Sequence, residues 1–476
     1  MIKKYYSILV FCNYRLYHET YLNLFPNHKI SVKKDSIMDL KQICSENILS
    51  NKSIPKKLSL DILKFAESGF KEYETAKKVI KTFEELGQND IQTGIALTGI
   101  KTTLDTGNPG PNIGVIGELD ALPAPGHPFE NPETSMAHAC GHHAQIGSMI
   151  SVLVALSDHR ILSNLNGKIT FFAVPAEEFV EIQWRNEQRK KGKIEFLGGK
   201  QEMIKLGAFD DIDIAMMTHT TPRNIKFSYG GTDNGLVAKF IEFKGVASHA
   251  GASPESGINA LNAANIAINA INAQRETFKD EDHIRVHPII TKGGNVVSAV
   301  PDQVNIETFI RGSTIDAIQD ANIKVDNCLK AGALATGAKV KITTIAGYLP
   351  LQNNPELLDI YTSNLKDNFS EKELEKDGHS GGSTDMGDIS NLIPSIHPYV
   401  GGCSGISNHS KDMVVENYDL SVIESGRMMA YTIIDLLENN AKNAKKIIHN
   451  FSPNFEKEEY IKLLRNLTKE EEFSRD

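Results

Sequence analysis

The chain has 476 residues, 40% of them hydrophobic and 23% charged, a length that spans roughly three domain-sized units or one large α/β domain carrying an insertion. Its 51 basic against 60 acidic side chains leave a net charge of −9, which excludes a broad basic footprint for nucleic acid. No apolar run approaches the roughly 18 residues of a membrane-spanning helix. At the start, MIKKYYSILVFCNYRL makes a poor secretory signal, because Asn13, Tyr14 and Arg15 interrupt the apolar stretch and no small-residue cleavage site follows. Residues 1–37 are read as an N-terminal extension ahead of Met38. The five cysteines, Cys12, Cys44, Cys140, Cys328 and Cys403, are scattered and form no CxxC pair, which fits a reducing compartment. A cytoplasmic protein is expected.

Residues 56–86 carry helical periodicity, with Leu60, Leu63, Ala66 and Phe70 on one stripe and Ala76, Val79, Ile80 and Phe83 on the next. Gly87 follows as a C-cap. An apolar strand from Asn112 to Asp120 ends in GELDALP, and a helix over Ala144–Leu156 follows HACGHH. Continuous apolar strands over Lys168–Val174 and Ile212–Thr218 run into PAEE and into His219-Thr220. Strands alternating with helices predict an α/β fold, a mostly parallel sheet covered by helices. The chemically loaded residues fall after strand ends, where open α/β sheets place their sites.

Between residues 234 and 346 the character changes. LVAKFIEFKG alternates like a half-exposed strand, and Ser253-Pro254 reads as an N-cap with proline at the first helical position. The helix expected over Pro254–Ala273 has an apolar stripe (Ile258, Leu261, Ala264, Ile268, Ile271) and an asparagine stripe (Asn259, Asn262, Asn265, Asn269, Asn272) read as a solvated face. HPIITKGG, DQVNIETFIRG, a helix near 315–334 and KVKITTIAG complete a small α+β unit. The expected domains are therefore 38–233 with 347–437, interrupted by 234–346, and 438–476 as a charged peripheral helix and frayed tail.

The densest chemistry is His138-Ala-Cys140-Gly-His142-His143. A Cys and a His two apart beside a glycine can turn a thiolate and an imidazole toward one point, and both suit zinc or a similar first-row ion. Glu177 and Glu178, adjacent at a strand end, would repel each other unless one binds a cation while the other stays free with a raised pKa. His219 ends a third apolar strand, and His409 stands on a late loop. Asp120 admits two readings, a turn aspartate or the group that orients a ligand imidazole from behind. Together these residues make a coherent metal site with a spare carboxylate. That arrangement suits hydrolysis, since a metal polarises a carbonyl and brings the pKa of bound water to about 7.

The ordered series GELDALP, HACGH, PAEE, TH, ASHAGASPESGINAL, VPD, GGSTDMGDIS and NHS resembles the metal-dependent amidohydrolase and peptidase family that includes aminoacylases, carboxypeptidase G and the aminobenzoyl-glutamate and indole-acetyl-amino-acid hydrolases, in its cysteine-ligand branch. The resemblance runs from about residue 58 to residue 436. It implies a catalytic α/β domain interrupted by a lid that usually also dimerises. By the same resemblance Cys140, His142, Glu178, His219 and His409 hold one or two divalent ions (manganese, zinc, cobalt or nickel), with Cys140 as the bridge. Glu177 is implied as the general base. His249 is implied to help hold the substrate or its oxyanion, in some relatives across the dimer, and Arg311 to clamp a substrate carboxylate.

Two departures stand out. His143 takes a place that relatives give to Asp or Asn, leaving open an altered environment behind the ligands or an extra ligand. Ser298 takes the place of a common lid asparagine. The segment Phe179–Gly198 reads equally as pocket wall or surface insertion. The function expected is hydrolysis of an amide in an N-acyl amino acid, an aminobenzoyl-glutamate-like compound or a dipeptide. The alternatives are a strict dipeptidase or carboxypeptidase, or a catalytically silent homologue acting as a binding protein. Expected partners are a small-molecule substrate and a second copy bound through the lid, with no nucleic acid and no membrane.

Overall fold

Alternation along the strand Lys168–Val174 sends Ile169, Phe171 and Ala173 into one apolar core and Phe172 and Val174 into another. A strand apolar on both sides has to be covered on both sides, and the computed structural model, which describes residues 39–475, has that arrangement. The N-terminal extension and Cys12 lie outside the described residues. The strand sits inside a six-stranded sheet, in the order Gln92–Ile95, Gly99–Asp105, Lys168–Val174, Asn112–Glu118, Ile214–Met216, Ser395–Ile396. The last three pairings are parallel and the first two antiparallel.

One face of the sheet carries the helix His142–Leu156, all 15 residues of which are buried. Each Leu, Ile or Val side chain buried this way contributes about 1.5–3 kcal/mol, so this helix is a rigid post with its N-terminus at the strand ends. The other face is covered by Gly199–Lys205, Met386–Ser390 and Lys457–Leu467. A small third sheet at the strand ends joins Leu351–Gln352, Phe227–Asp233, Tyr399–Val400 and His219–Thr220, with Leu374–Ser380 alongside. Among the described residues no helix is long and apolar enough to cross a membrane.

The inserted α+β unit follows the expected strand–helix–strand–strand–helix–strand order. Its central strand Gly235–Lys244 pairs with Gln303–Gly312 on one side and Lys339–Ala346 on the other. The helices Ala260–Ala273 and Ile315–Thr336 close over one face of this sheet. Asn262, Asn265, Asn269 and Asn272 are exposed, as a solvated face requires.

Four local expectations are corrected. The periodicity over 56–86 is divided between Ser53–Ile62 and Tyr73–Glu85. Between them Phe70 takes a left-handed φ of 64° and Gly69 lies where a Cβ would come 2.2 Å from Nη2 of Arg185, so the chain leaves the helix to let that arginine in. The strand expected to reach Thr218 stops at Met216, and His219 opens a strand of a different sheet. Asn259, not Ser253, caps the helix of the insertion: its Oδ1 accepts from the N–H groups of Leu261 and Asn262. Pro254 heads only a single 3-10 turn.

The C-terminus is not frayed. The helix Lys457–Leu467 packs Tyr460 and Leu464 into the core beneath the catalytic sheet, and the strand Lys469–Phe473 then joins the sheet of the insertion along Lys339–Ala346. Charged side chains are no obstacle there, because an edge strand is held by its backbone while Lys330, Lys341 and Lys190 meet Glu471 and Glu470 from the neighbouring elements. A protein ending at Thr468 is expected to lose about 1–2 kcal/mol of stability. It should also lose amide-exchange protection along residues 340–344, as read by hydrogen exchange with mass spectrometry.

Candidate metal centre

All the candidate ligands but His409, which stands on the loop after Tyr399–Val400, are delivered by the end of a strand or by the turn next to one. Glu118 ends Asn112–Glu118, Glu177 and Glu178 follow Lys168–Val174, and His219 follows Ile214–Met216. Cys140 and His142 flank Gly141, whose φ of 82° turns both side chains inward at the head of the buried helix. A Cβ on Gly141 would lie 2.0 Å from Oγ1 of Thr220, which itself donates to the carbonyl of Cys140 at 2.9 Å. Position 141 is therefore closed to any residue but glycine.

The resulting cluster is tight. Cys140, His142 and His219 form one group of potential ligand atoms within 4.8 Å of one another; Cys140, Glu178 and His409 form a second; Glu118, His142 and Glu177 form a third. Cys140 thus belongs to two groups, as a bridging donor would. Its Sγ lies 3.3 Å from Nε2 of His219, and Nε2 of His409 lies 3.0 Å from Oε1 of Glu178. His142 Nε2 stands 3.1 Å from Glu118 and 3.8 Å from Glu177. Asp120 is the orienting group: it accepts from His142 Nδ1 at 3.1 Å and from the N–H of Glu178 at 2.8 Å.

Electrostatics argue that the cluster is built for a cation. Burial resists ionisation of the Cys140 thiol, but His219, His409 and His142 beside it bring it down to about 6. Burial likewise opposes ionisation of Glu178, yet His409 holds its carboxyl down at about 2. Burial disfavours a charged His142, but Glu118 and the Cys140 sulfur raise it well above the ordinary imidazole range. Glu177 differs: burial, then Glu118 and Glu178, push its carboxyl far above the usual carboxylate range. The anionic donors are thus balanced by protons on imidazoles, the protons that a divalent ion displaces when it binds. Buried atoms Oε2 of Glu118, Nε2 of His142 and Oε1 of Glu178 make no hydrogen bond. The residues fit a metal.

Not every expected residue is brought together. Arg311 reaches the cavity beside the cluster, where its Nη1 donates to Oγ of Ser383 at 3.1 Å. His249 does not; it is exposed on the insertion, its Nδ1 accepting from the N–H groups of Gly251 and Ala252, and it does not line the cavity. Ser298 is its exposed neighbour, accepting from the N–H of Ala250 through its carbonyl. His143 faces away from the ligands, 3.1 Å from the hydroxyl of Tyr418, and belongs to none of the three donor groups.

The segment after Glu178 serves both readings offered for it. Phe179 and Val180 line the cavity, whereas the helix Ile182–Lys190 buries Arg185 so that its Nη1 donates to the Leu197 carbonyl at 2.8 Å. Sequence reasoning missed five residues of the site, Glu118, Lys200, Asp385, Tyr348 and Asn408. Lys200, fully buried, bonds Glu118 at 2.5 Å and also Asp385. The Tyr348 hydroxyl donates to the backbone carbonyl of Glu177, and Asn408 approaches Cys140 Sγ. Only Glu118 left a local signal, as the acid two residues before Asp120 at a strand end.

Residues 114–435 match the model of peptidase family M20/M25/M40. The chain belongs to that family. It is 29% identical over 335 residues to the Xaa-Arg dipeptidase of Mus musculus, covering 68% of this chain and 70% of that one. To the hippurate hydrolase of Campylobacter jejuni it is 26% identical over 319 residues, covering 65% and 77%. A solved dinuclear metal-binding peptidase of the M20 family from Bacillus subtilis shares the fold, with a TM-score of 0.60 at 19% identity over 81% of this chain and 99% of that one. The resemblance drawn from the motifs holds, and this M20 chain is a metal-dependent hydrolase of amide bonds; its alternative as a silent binding protein finds no support.

In metal-free M20 protein the Cys140 thiol is expected to ionise with a midpoint of about 6, so that it is a thiolate at neutral pH and loses that state as pH falls through the midpoint. Thiolate absorbance titrated against a Cys140→Ser protein checks this.

Proposed function

We propose that this M20 hydrolase cleaves the amide of an N-acyl amino acid, an aminobenzoyl-glutamate-like compound or a dipeptide, with Glu177 as its general base. The observation that carries this reading is Glu177 itself, a carboxyl held far above its ordinary range beside the donor cluster, on the wall of a cavity of about 530 Å³ that also exposes Arg311. One or two divalent ions, of manganese, zinc, cobalt or nickel, held by Cys140, His142, Glu178, His219 and His409, would polarise the scissile carbonyl and acidify the attacking water. Glu177 takes the proton of that water and returns it to the leaving amine; a carboxyl lifted above its ordinary range holds a proton more readily and so suits both steps. The Tyr348 hydroxyl bond to its carbonyl keeps the Glu177 backbone from drifting. Arg311, with the ring of Phe309 5.3 Å from its guanidinium carbon, presents a planar fork for a substrate carboxylate.

His249 donates to the carbonyl oxygen as charge builds there, and since it is exposed on the insertion in its own chain, a second copy supplies it. We take residues 234–346 as the lid through which a homodimer forms. Its outer strand Ile289–Lys292 leaves Ile289 60% and Ile290 44% exposed, apolar surface at a sheet edge that favours pairing. The free thiols Cys44, Cys140, Cys328 and Cys403 support a cytoplasmic location.

Glu177→Gln is expected to lower kcat by about 100- to 10,000-fold while substrate still binds, as read by amine release and by calorimetry on the manganese-supplemented protein; a variant that keeps most of its turnover removes the assignment. If His249 acts across the dimer, mixing inactive Glu177→Gln and His249→Ala proteins should restore activity through heterodimers. Mixtures that stay inactive, or a monomeric mass by light scattering, would count against the lid reading.

A further inference from the structure

The cavity holds one charged group that the reaction does not use. Asp233 ends the strand Phe227–Asp233, is 5% exposed, and lines both the catalytic cavity and an adjoining one of about 480 Å³. Ser380 and Tyr399 line both cavities beside it. The Tyr399 ring in turn lies 5.5 Å from the ring of His219, which places Asp233 one tyrosine away from the metal centre.

Among the described residues Asp233 has no Lys or Arg at ion-pair distance. The nearest guanidinium stacked on Tyr399, that of Arg223, is committed to Asp377 at 2.6 Å and to Glu375 at 3.5 Å. Burial and neighbouring cations hold His379 and His397 below the ordinary range, and His219, which does draw the Asp233 carboxyl down, is a candidate metal ligand. A buried carboxylate without a cation at ion-pair distance is costly, and a neutral asparagine would fill the same place at less cost. Arg311 is the mirror case, a half-buried guanidinium on the same cavity wall that donates to the neutral Ser383 and is attracted by Glu177, Glu178 and Asp233 only from beyond ion-pair distance.

We propose that Asp233 binds a cationic nitrogen of the substrate, ammonium or guanidinium, in the cavity where Arg311 takes a carboxylate, so that the preferred substrates are amides carrying both charges. This rests on the hydrolase reading above and narrows it. Burial raises the Asp233 carboxyl above its ordinary range, and a cation seated against it would favour the ionised form. The cation has two sources, the free α-ammonium of a dipeptide or a basic side chain reaching toward the adjoining cavity.

Four substrates separate them on the manganese-supplemented protein: N-acetyl-Leu with neither cation, Ala-Leu with the α-ammonium, Nα-acetyl-Lys with the side chain, and Ala-Lys with both. The wild type should favour one or both singly charged arms over N-acetyl-Leu by about 30-fold or more in kcat/KM, and the favoured arm names the source. In Asp233→Asn the cationic-to-neutral ratio should fall toward one. A wild type without the preference, or a variant whose ratio is unchanged because all four rates fall together, overturns the proposal. If Asp233→Asn does not fold, the wild-type ratios decide alone. If the wild type cleaves none of the four, the hydrolase reading fails, and calorimetric binding of Ala-Lys against N-acetyl-Leu decides the role of Asp233.

Discussion

Four anionic donors, Glu118, Glu177, Glu178 and Cys140, meet within a few ångströms at the carboxyl ends of neighbouring strands, nearly out of reach of water. Like charges that close in a weakly polar interior repel strongly, so each must be neutralised, protonated or matched by positive charge brought to the same point. The chain provides part of that charge itself. Lys200, between Glu118 and Asp385, is a permanent cation beneath the cluster, and it holds Glu118 down at about 2 despite burial. His142, His219 and His409 supply the rest, and theirs is exchangeable for metal.

Much of the architecture follows from holding that cluster rigid. The helix that presents His142 is buried along its whole length, so its N-terminus cannot shift without opening the main core. Gly141 seats against Thr220, which ties the Cys140 turn to the His219 strand. Asp120 joins His142 to the backbone of Glu178, so that three strand ends move as one. The cavity beside the centre is then completed from the insertion by Arg311 and Phe309, whose placement depends on how the two layers are coupled. The C-terminal segment is one such coupling. Tyr460 bonds Asp388 under the catalytic sheet, Thr468 accepts from the N–H of Ala346, and the next five residues extend the sheet of the insertion.

Apart from His409, legible only through the motif NHS on its loop, the candidate ligands were legible because each follows a strand end or flanks a glycine, features that local pattern records. Glu118 was in view within GELD but reads as the polar end of an apolar strand until Lys200 and His142 are beside it. His249 illustrates the opposite case: its motif is plain, yet its position in space lies away from the cavity in its own chain. The break between the helices Ser53–Ile62 and Tyr73–Glu85 was hidden because apolar spacing continues across Gly69, and only the burial of Arg185 there demands a turn. The closing strand was hidden because KEEEF offers no apolar alternation, and what pairs it is backbone.

By itself the sequence determined the layered α/β fold and pointed to the candidate ligands and base, since hydrophobic period and ligand chemistry are properties of short segments and the order of the motifs carries the family resemblance. Only the tertiary structure decided which charges compensate one another and which remain free. Lys200 and Asp385 are 185 residues apart in the chain, and Asp233 is set apart from Arg223 by a tyrosine ring from a third strand. Charge balance is a property of distance in space, and no local pattern carries it.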